Sequence, residues 1–365
     1  MFGYARPCWA EASMIRILGP FPPPYGGVAL HCVRLLEALR GKGLNVCATS
    51  LGGVPSGIVG VSKWRPWTML SRSPVHYHTD EGNHRWMRLF SRIWSLTRTP
   101  YIVTVHSFRH RPEFRDARTV SSLASAYTNA SAIIAISNEV AASLASTLGL
   151  HRKNLHVIPS NLPLSSWELA AVLPPSVAKN WRNASIRILA NAGRVVSYNG
   201  RDLYGIDVLI DAFTLIDDVD AELCIAVGDV VDEALWNNHE QRIGSDPRIT
   251  IVRNLASPLA PLVKHAHVVV RPTRTEGGPS LTLSEAIELG RIAIGSDAVP
   301  RPDGTDLFRN GDHVDLARVL RESIVKARAG RLPISHAQYS DIADQIVKVY
   351  ERSGFVSTTH TPAEV

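Results

Sequence analysis

Short apolar runs recur along the chain and alternate with longer stretches in which the apolar positions return every three or four residues. In the first half the runs are Ile15 to Leu18, Asn45 to Ser50, Val75 to His78, Tyr101 to Val105, Ala132 to Ser137 and Leu155 to Ile158. In the second half they are Arg187 to Ala190, Glu222 to Val227, Ile249 to Val252, His267 to Val270 and Ile292 to Ser296. Uninterrupted apolar runs suit strands covered on both faces, and the stretches between them suit crossover helices, so the pattern predicts an α/β fold with parallel sheets. One such helix is set by Val28, Cys32, Leu35, Leu36 and Leu39, running to about Arg40 before Gly41 and Gly43 end it. The length of 365 residues fits two domains of usual size. Ser160 to Ser185, with Pro163, Pro174, Pro175 and several serines, reads as a hinge between residues 1–165 and 166–340.

The segment Arg271 to Asp297, RPTRTEGGPSLTLSEAIELGRIAIGSD, carries the densest chemistry. A buried strand ends near Arg271, and Gly277, Gly278, Pro279 and Ser280 lead into a helix from about Leu281. Permissive backbone and a serine cap leave amide groups free to converge on an anion, favoured by the positive end of the helix dipole. Glu276 is placed at the strand's carboxyl end and Glu285 about one turn into the helix. A second helix start suited to anions follows the first strand at Gly26 and Gly27. His106 follows the strand Tyr101 to Val105, and Arg194 follows Gly193 after Arg187 to Ala190.

In order, PPPYGGVALHCVRLLEALRGKG, YIVTVHS, AIIAIS, VIPSNLP, AGRVV, YGIDVLIDAF, VGD and the RPTRTEGGPSLTLSEAIELG block with SDAVPRP span Ile15 to Pro302. This ordered set resembles glycosyltransferase family 4, a large retaining family of GT-B architecture. The resemblance implies two facing Rossmann-like domains with a cleft between them, an N-terminal acceptor domain and a C-terminal nucleotide-sugar domain. It also implies that residues 341–365 bring a final helix, about Gln338 to Glu351, back to the first domain ahead of a frayed tail.

The implied reaction moves a sugar from a nucleotide diphosphate donor to an acceptor hydroxyl with the anomeric configuration kept. Arg194 suits the fixed positive charge on the departing diphosphate, since a guanidinium bonds phosphate oxygens in a two-pronged geometry. By resemblance Glu285 accepts bonds from the ribose hydroxyls, Glu276 lies beside the sugar hydroxyls, and His106 contacts the sugar. No metal or other cofactor is implied, and no HExxH or paired aspartate motif points to one. Two departures from the family stand out. Eight residues separate Glu276 from Glu285 where seven are usual, and Tyr204 precedes Gly205 where a basic residue is common. Arg201, three residues earlier, is the candidate to compensate. A sugar-nucleotide epimerase of the same fold and a non-catalytic interaction subunit remain alternative readings.

Charge adds a partner to this picture. Residues 1–165 carry a net +11 and residues 166–365 a net −5, within a total of +6. A basic first half suits an anionic partner. Within it Arg85, Arg88 and Arg92 share one helical face of Asn83 to Thr97, with Trp86, Leu89, Phe90, Ile93 and Trp94 elsewhere. That composition suits peripheral contact with an anionic membrane face and a glycan or lipid-linked acceptor. Nucleic acid is not expected, because no binding module is present. No run is long and apolar enough to span a bilayer, and Cys8, Cys32, Cys47 and Cys224 have no metal spacing, so a reducing, cytoplasmic setting is expected. The first 14 residues lack the apolar core of a secretory signal. Met14, directly before the first strand, is the expected translation start.

Overall fold

Most of the strands that read as apolar runs are buried, the edge strands Leu155–Val157 and Ile249–Arg253 being only partly covered, and they form two all-parallel sheets. The computed structural model describes residues 14–356 except 24, 57, 81–83, 109–113, 115, 151–153, 183, 245, 256, 277–279 and 334–341. The chain divides into two compact units, Met1–Ser165 with Tyr339–Val365, and Ser166–Gln338.

The first unit runs β1 (Ile15–Gly19), α1 (Gly27–Gly41), β2 (Val46–Ser50), β3 (Val61–Lys63), a 3-10 turn (Pro66–Leu70), β4 (Val75–Thr79), α2 (His84–Thr97), β5 (Tyr101–Val105), α3 (Ala117–Thr128), β6 (Ala132–Ala135), α4 (Asn138–Leu148) and β7 (Leu155–Val157). Its sheet order is β3-β2-β1-β4-β5-β6-β7. The order reverses between β1 and β4, and a doubly wound sheet opens its ligand crevice at the carboxyl ends of such a pair.

The second unit runs α5 (Ser166–Leu169), α6 (Pro175–Trp181), β8 (Ile186–Val195), β9 (Ser197–Tyr198), β10 (Arg201–Asp202), α7 (Ile206–Thr214), β11 (Ala221–Val230), α8 (Glu233–Ile243), β12 (Ile249–Arg253), α9 (Ala260–His265), β13 (Val268–Arg271), α10 (Leu281–Glu288), β14 (Ile292–Ser296), β15 (Thr305–Phe308) and α11 (His313–Arg328). Its larger sheet has the order β12-β11-β8-β13-β14-β15, which reverses between β8 and β13. The last helix, α12 (Ile342–Arg352), belongs to the first unit. There the Tyr350 hydroxyl meets His76 Nδ1 at 2.7 Å, and Asp344 pairs with Lys42 at 2.5 Å.

Three differences from the sequence pattern have physical reasons. The edge strands β3 and β15 lack a continuous apolar signal because they are only partly covered. β8 extends past its apolar run because backbone pairing with β11 carries on through the exposed Gly193 and Arg194, by way of Arg194↔Asp229, to the buried Val195 paired with Val230. The stretch expected as a hinge holds α6, whose Val177 and Trp181 are buried in the second unit's core.

No helix among the described residues is long and apolar enough to cross a membrane. Cys32, Cys47 and Cys224 are buried, and Cys8 lies outside the described residues.

Candidate active site

In the second unit, the loops after β8 and β13 meet at the reversal of strand order. Gly205 has φ +69°, and a Cβ there would lie 2.1 Å from the Pro272 carbonyl oxygen, so only glycine lets the two loops touch. Asp202 fixes the same turn from below. Its carboxylate, buried at 1% exposure, accepts the amide hydrogens of Tyr204 at 2.9 Å and Ile206 at 2.7 Å. Arg274 joins the β13 loop to the start of α7 through a two-pronged bond to Asp207 at 2.8 and 2.9 Å. Burial pushes the Asp207 carboxyl up, but the bonds and charge of Arg274 outweigh it and hold the group below the usual range.

Glu276 lies at the centre of this loop. Arg271 donates to one of its carboxylate oxygens from Nε at 2.9 Å and Nη2 at 2.6 Å, and Arg301 donates to the other. Arg271 also donates to the Asn191 carbonyl at 2.9 Å and lies 4.7 Å from the centroid of the Tyr204 ring. Arg301 is anchored by the Ser296 carbonyl and hydroxyl, each at 2.8 Å. Two guanidiniums around one carboxylate leave a net positive charge at the carboxyl ends of β13 and β14. Arg271, Arg301, Asn191 and Asp202 escaped the sequence reading. The signal for Arg271 was a charge closing an otherwise apolar strand.

Ser280 caps α10, accepting the Leu283 amide hydrogen at 3.5 Å, and Glu285 is buried within that helix. Gly277, Gly278 and Pro279 lie outside the described residues. Arg194 stands at the end of β8 with its side chain 67% exposed and a single loose ion pair, 3.8 Å to the equally open Asp229. Arg201 is exposed on the β9–β10 hairpin.

In the first unit, Gly26 is the N-cap of α1 in extended conformation and Gly27 the first helical residue, with no capping side chain and no acid in the first turn. The amides there are open to an anion. His106 follows β5 and is buried in a group of histidines that sequence reading missed. Its Nε2 lies 3.2 Å from His78 Nδ1, and its ring centroid 4.8 Å from that of His31. Burial pushes His31 down to about 4, and burial with neighbouring histidines holds His78 and His106 well below the usual range. All three are therefore neutral imidazoles at neutral pH, able to donate and accept but not to act as cations. The signal available in the sequence was the His76-Tyr77-His78 alternation on a strand, which puts both histidines on one face.

Residues 187–325 match the family described as Glycosyl transferases group 1. No curated protein sequence matches the chain significantly. Several solved structures share the fold over nearly its whole length. The catalytic domain of starch synthase IV from Arabidopsis thaliana, bound to ADP and acarbose, superposes with a TM-score of 0.65 at 13% identity, covering 93% of this chain and 99% of its own. Anabaena Alr3699/HepE in complex with UDP and glucose gives 0.64 at 14% identity, covering 93% and 98%. Sucrose-phosphate synthase from Thermosynechococcus elongatus gives 0.63 at 17% identity, covering 93% and 98%.

Proposed function

We propose, from the premise that the chain is a glycosyltransferase of GT-B fold whose second unit carries the group 1 sequence, that it transfers a glycosyl unit from a nucleotide diphosphate sugar to an acceptor hydroxyl with retention of configuration. The observation that carries the donor class is the positive, capped strand-loop-helix after β13. Arg271 and Arg301 outnumber Glu276, and α10, capped by Ser280, starts five positions after Glu276. The departing diphosphate gains negative charge in the transition state, and donors fixed in advance around it lower the barrier most. Arg194 supplies a charge not consumed by structure, and Glu285 holds the ribose. HepE is described with UDP-glucose and starch synthase IV with ADP, so a bound nucleoside diphosphate group is common to both while the base differs.

The acceptor in this reading is a glycan or lipid-linked saccharide of polysaccharide assembly, handled by a protein in peripheral contact with an anionic membrane. Support comes from the first unit. A cavity of about 820 Å³ between α2 and α3 is lined by Arg88, Arg92 and Arg118 with five serines beside them. Trp67, Leu70, Trp86, Leu89 and Leu96 are exposed nearby in sequence. The solvent face of α2 thus mixes arginine with tryptophan and leucine, whereas the sequence reading had set Trp86 and Leu89 apart from the arginines. Such faces enter a headgroup layer, each basic residue contributing on the order of 1 kcal/mol.

Thermal unfolding with UDP, GDP, ADP and their sugar conjugates tests the donor reading. A ligand at about 100 times its Kd stabilises by about 2.7 kcal/mol. A shift with one nucleotide, followed by sugar found on an acceptor rather than an isomerised free donor, is the expected result. No shift with any nucleotide would overturn it.

A further inference from the structure

We propose that His31, His78 and His106 form a binding site for one divalent transition-metal ion of the zinc type. The three residues come from separate elements that the topology brings together. His31 lies in the second turn of α1, the helix that follows β1; His78 is on β4, and His106 immediately follows β5. They converge where the strand order of the first sheet reverses, its natural ligand crevice. Gly19 ends β1 without a Cβ, and a Cβ there would lie 2.9 Å from the Cys32 sulfur and 3.1 Å from the His78 Cβ, so the glycine makes room for both side chains.

Two of the three nitrogens already stand at the spacing a metal requires, and the third is close by. One ring nitrogen from each histidine lies within 4.8 Å of the others, and all three residues are buried. His78 Nδ1 and His106 Nε2 are 3.2 Å apart. Zinc–nitrogen bonds of about 2.0–2.1 Å at tetrahedral angles put two ligand nitrogens about 3.3 Å apart. His31 Nδ1 lies 2.8 Å from the Ser160 carbonyl oxygen, which can only accept, so the proton is on Nδ1 and Nε2 keeps its lone pair. A backbone carbonyl on the far nitrogen is the usual orienting partner of a metal-ligating histidine. Nε2 of His31 is buried and has no hydrogen-bond partner among the described residues. His76 provides the contrast. Its Nδ1 meets the Tyr350 hydroxyl and its Nε2 the Thr104 hydroxyl, both at 2.7 Å, so it is a satisfied structural residue.

Three neutral imidazoles with no carboxylate select zinc, copper or nickel over magnesium or calcium, and leave a fourth position for water or an anion. No local metal-binding spacing marks the site, because 46 and 27 residues lie between the three histidines. The inference is independent of the donor chemistry of the second unit.

The test is equilibrium dialysis of the chelator-treated full chain against zinc chloride, with X-ray absorption of the zinc-loaded protein. One zinc per chain is expected, with three imidazole nitrogens at about 2.0–2.1 Å. His31→Ala and His106→Ala should each weaken binding by about 100-fold or more, and His267→Gln in the second unit should leave it unchanged. Because the absorption spectrum is read on the unaltered chain, the result does not depend on a variant folding. Substoichiometric zinc at protein-matched concentrations, zinc without imidazole scattering, or undiminished affinity in a folded His31→Ala protein would each overturn the proposal.

Discussion

Arg271 lies over the ring of Tyr204, its guanidinium carbon 4.7 Å from the centroid. This explains why an aromatic residue occupies the position before Gly205 where the family resemblance leads one to expect a base. A lysine there would put a second cation against a buried guanidinium, whereas the ring face attracts it. Tyr204→Phe should therefore cost little, Tyr204→Leu should lower the unfolding free energy by about 1–2 kcal/mol, and Tyr204→Lys should lower it further. Urea denaturation checks the series. A lysine variant as stable as the parent would show that the positive charge at this turn is not already supplied by Arg271.

Glu276 was legible as a loop acid, but its role depends on residues the sequence could not bring to it. Arg271 is five positions away and Arg301 twenty-five, and both are engaged with the same carboxylate. Glu276→Gln removes the carboxylate that pairs with two largely buried guanidiniums, at 10% and 2% side-chain exposure. Breaking such a pair costs about 3–5 kcal/mol. Stability and donor affinity should fall together in this variant. A loss of affinity at unchanged midpoint and slope in a denaturation curve would instead assign Glu276 to the sugar alone.

The contrast marks what a sequence discloses. Val268–Arg271 and Tyr101–Val105 were readable because a strand covered on both faces must be apolar at every position. β15, T-D-L-F at a sheet edge, was not, since only Phe308 of its four residues is fully buried and its pairing with β14 is a backbone property. The serine cap of α10 was readable because capping is local, as its bond to Leu283 shows. The meeting of His31, His78 and His106 was not, because it depends on strand order, which no local pattern encodes.

Arg194 and Arg201 should separate by kinetics. The Arg194 side chain is two-thirds exposed and its 3.8 Å contact with Asp229 is solvated, so the pair contributes little to folding. Arg194→Ala should leave stability within about 0.5 kcal/mol yet reduce turnover by about 100-fold or more, the usual effect of deleting a donor to developing charge. Arg201→Ala, on the exposed hairpin, should have the smaller effect. Equal and negligible losses in steady-state assays would remove both from the diphosphate site.

His267 gives the second unit a titration that can be isolated. Burial, followed by the charges of Arg187 and Arg291, pushes its pKa down from 6.5 to about 4. Its Nδ1 accepts the Arg187 amide hydrogen at 3.0 Å, a bond that protonation of that nitrogen would abolish. The folded chain thus keeps the ring neutral, while the unfolded chain protonates it near pH 6.5. Between pH 6.5 and about 4 the unfolded state binds more protons, so stability falls as pH falls through that window and levels off below it. Replacing the ring by Gln removes the titration, so the difference in Tm between the parent and His267→Gln should shift against the parent as pH drops from 7 to 4. The same difference at every pH would mean that the ring titrates alike in both states, and that the arginines beside it are screened by water.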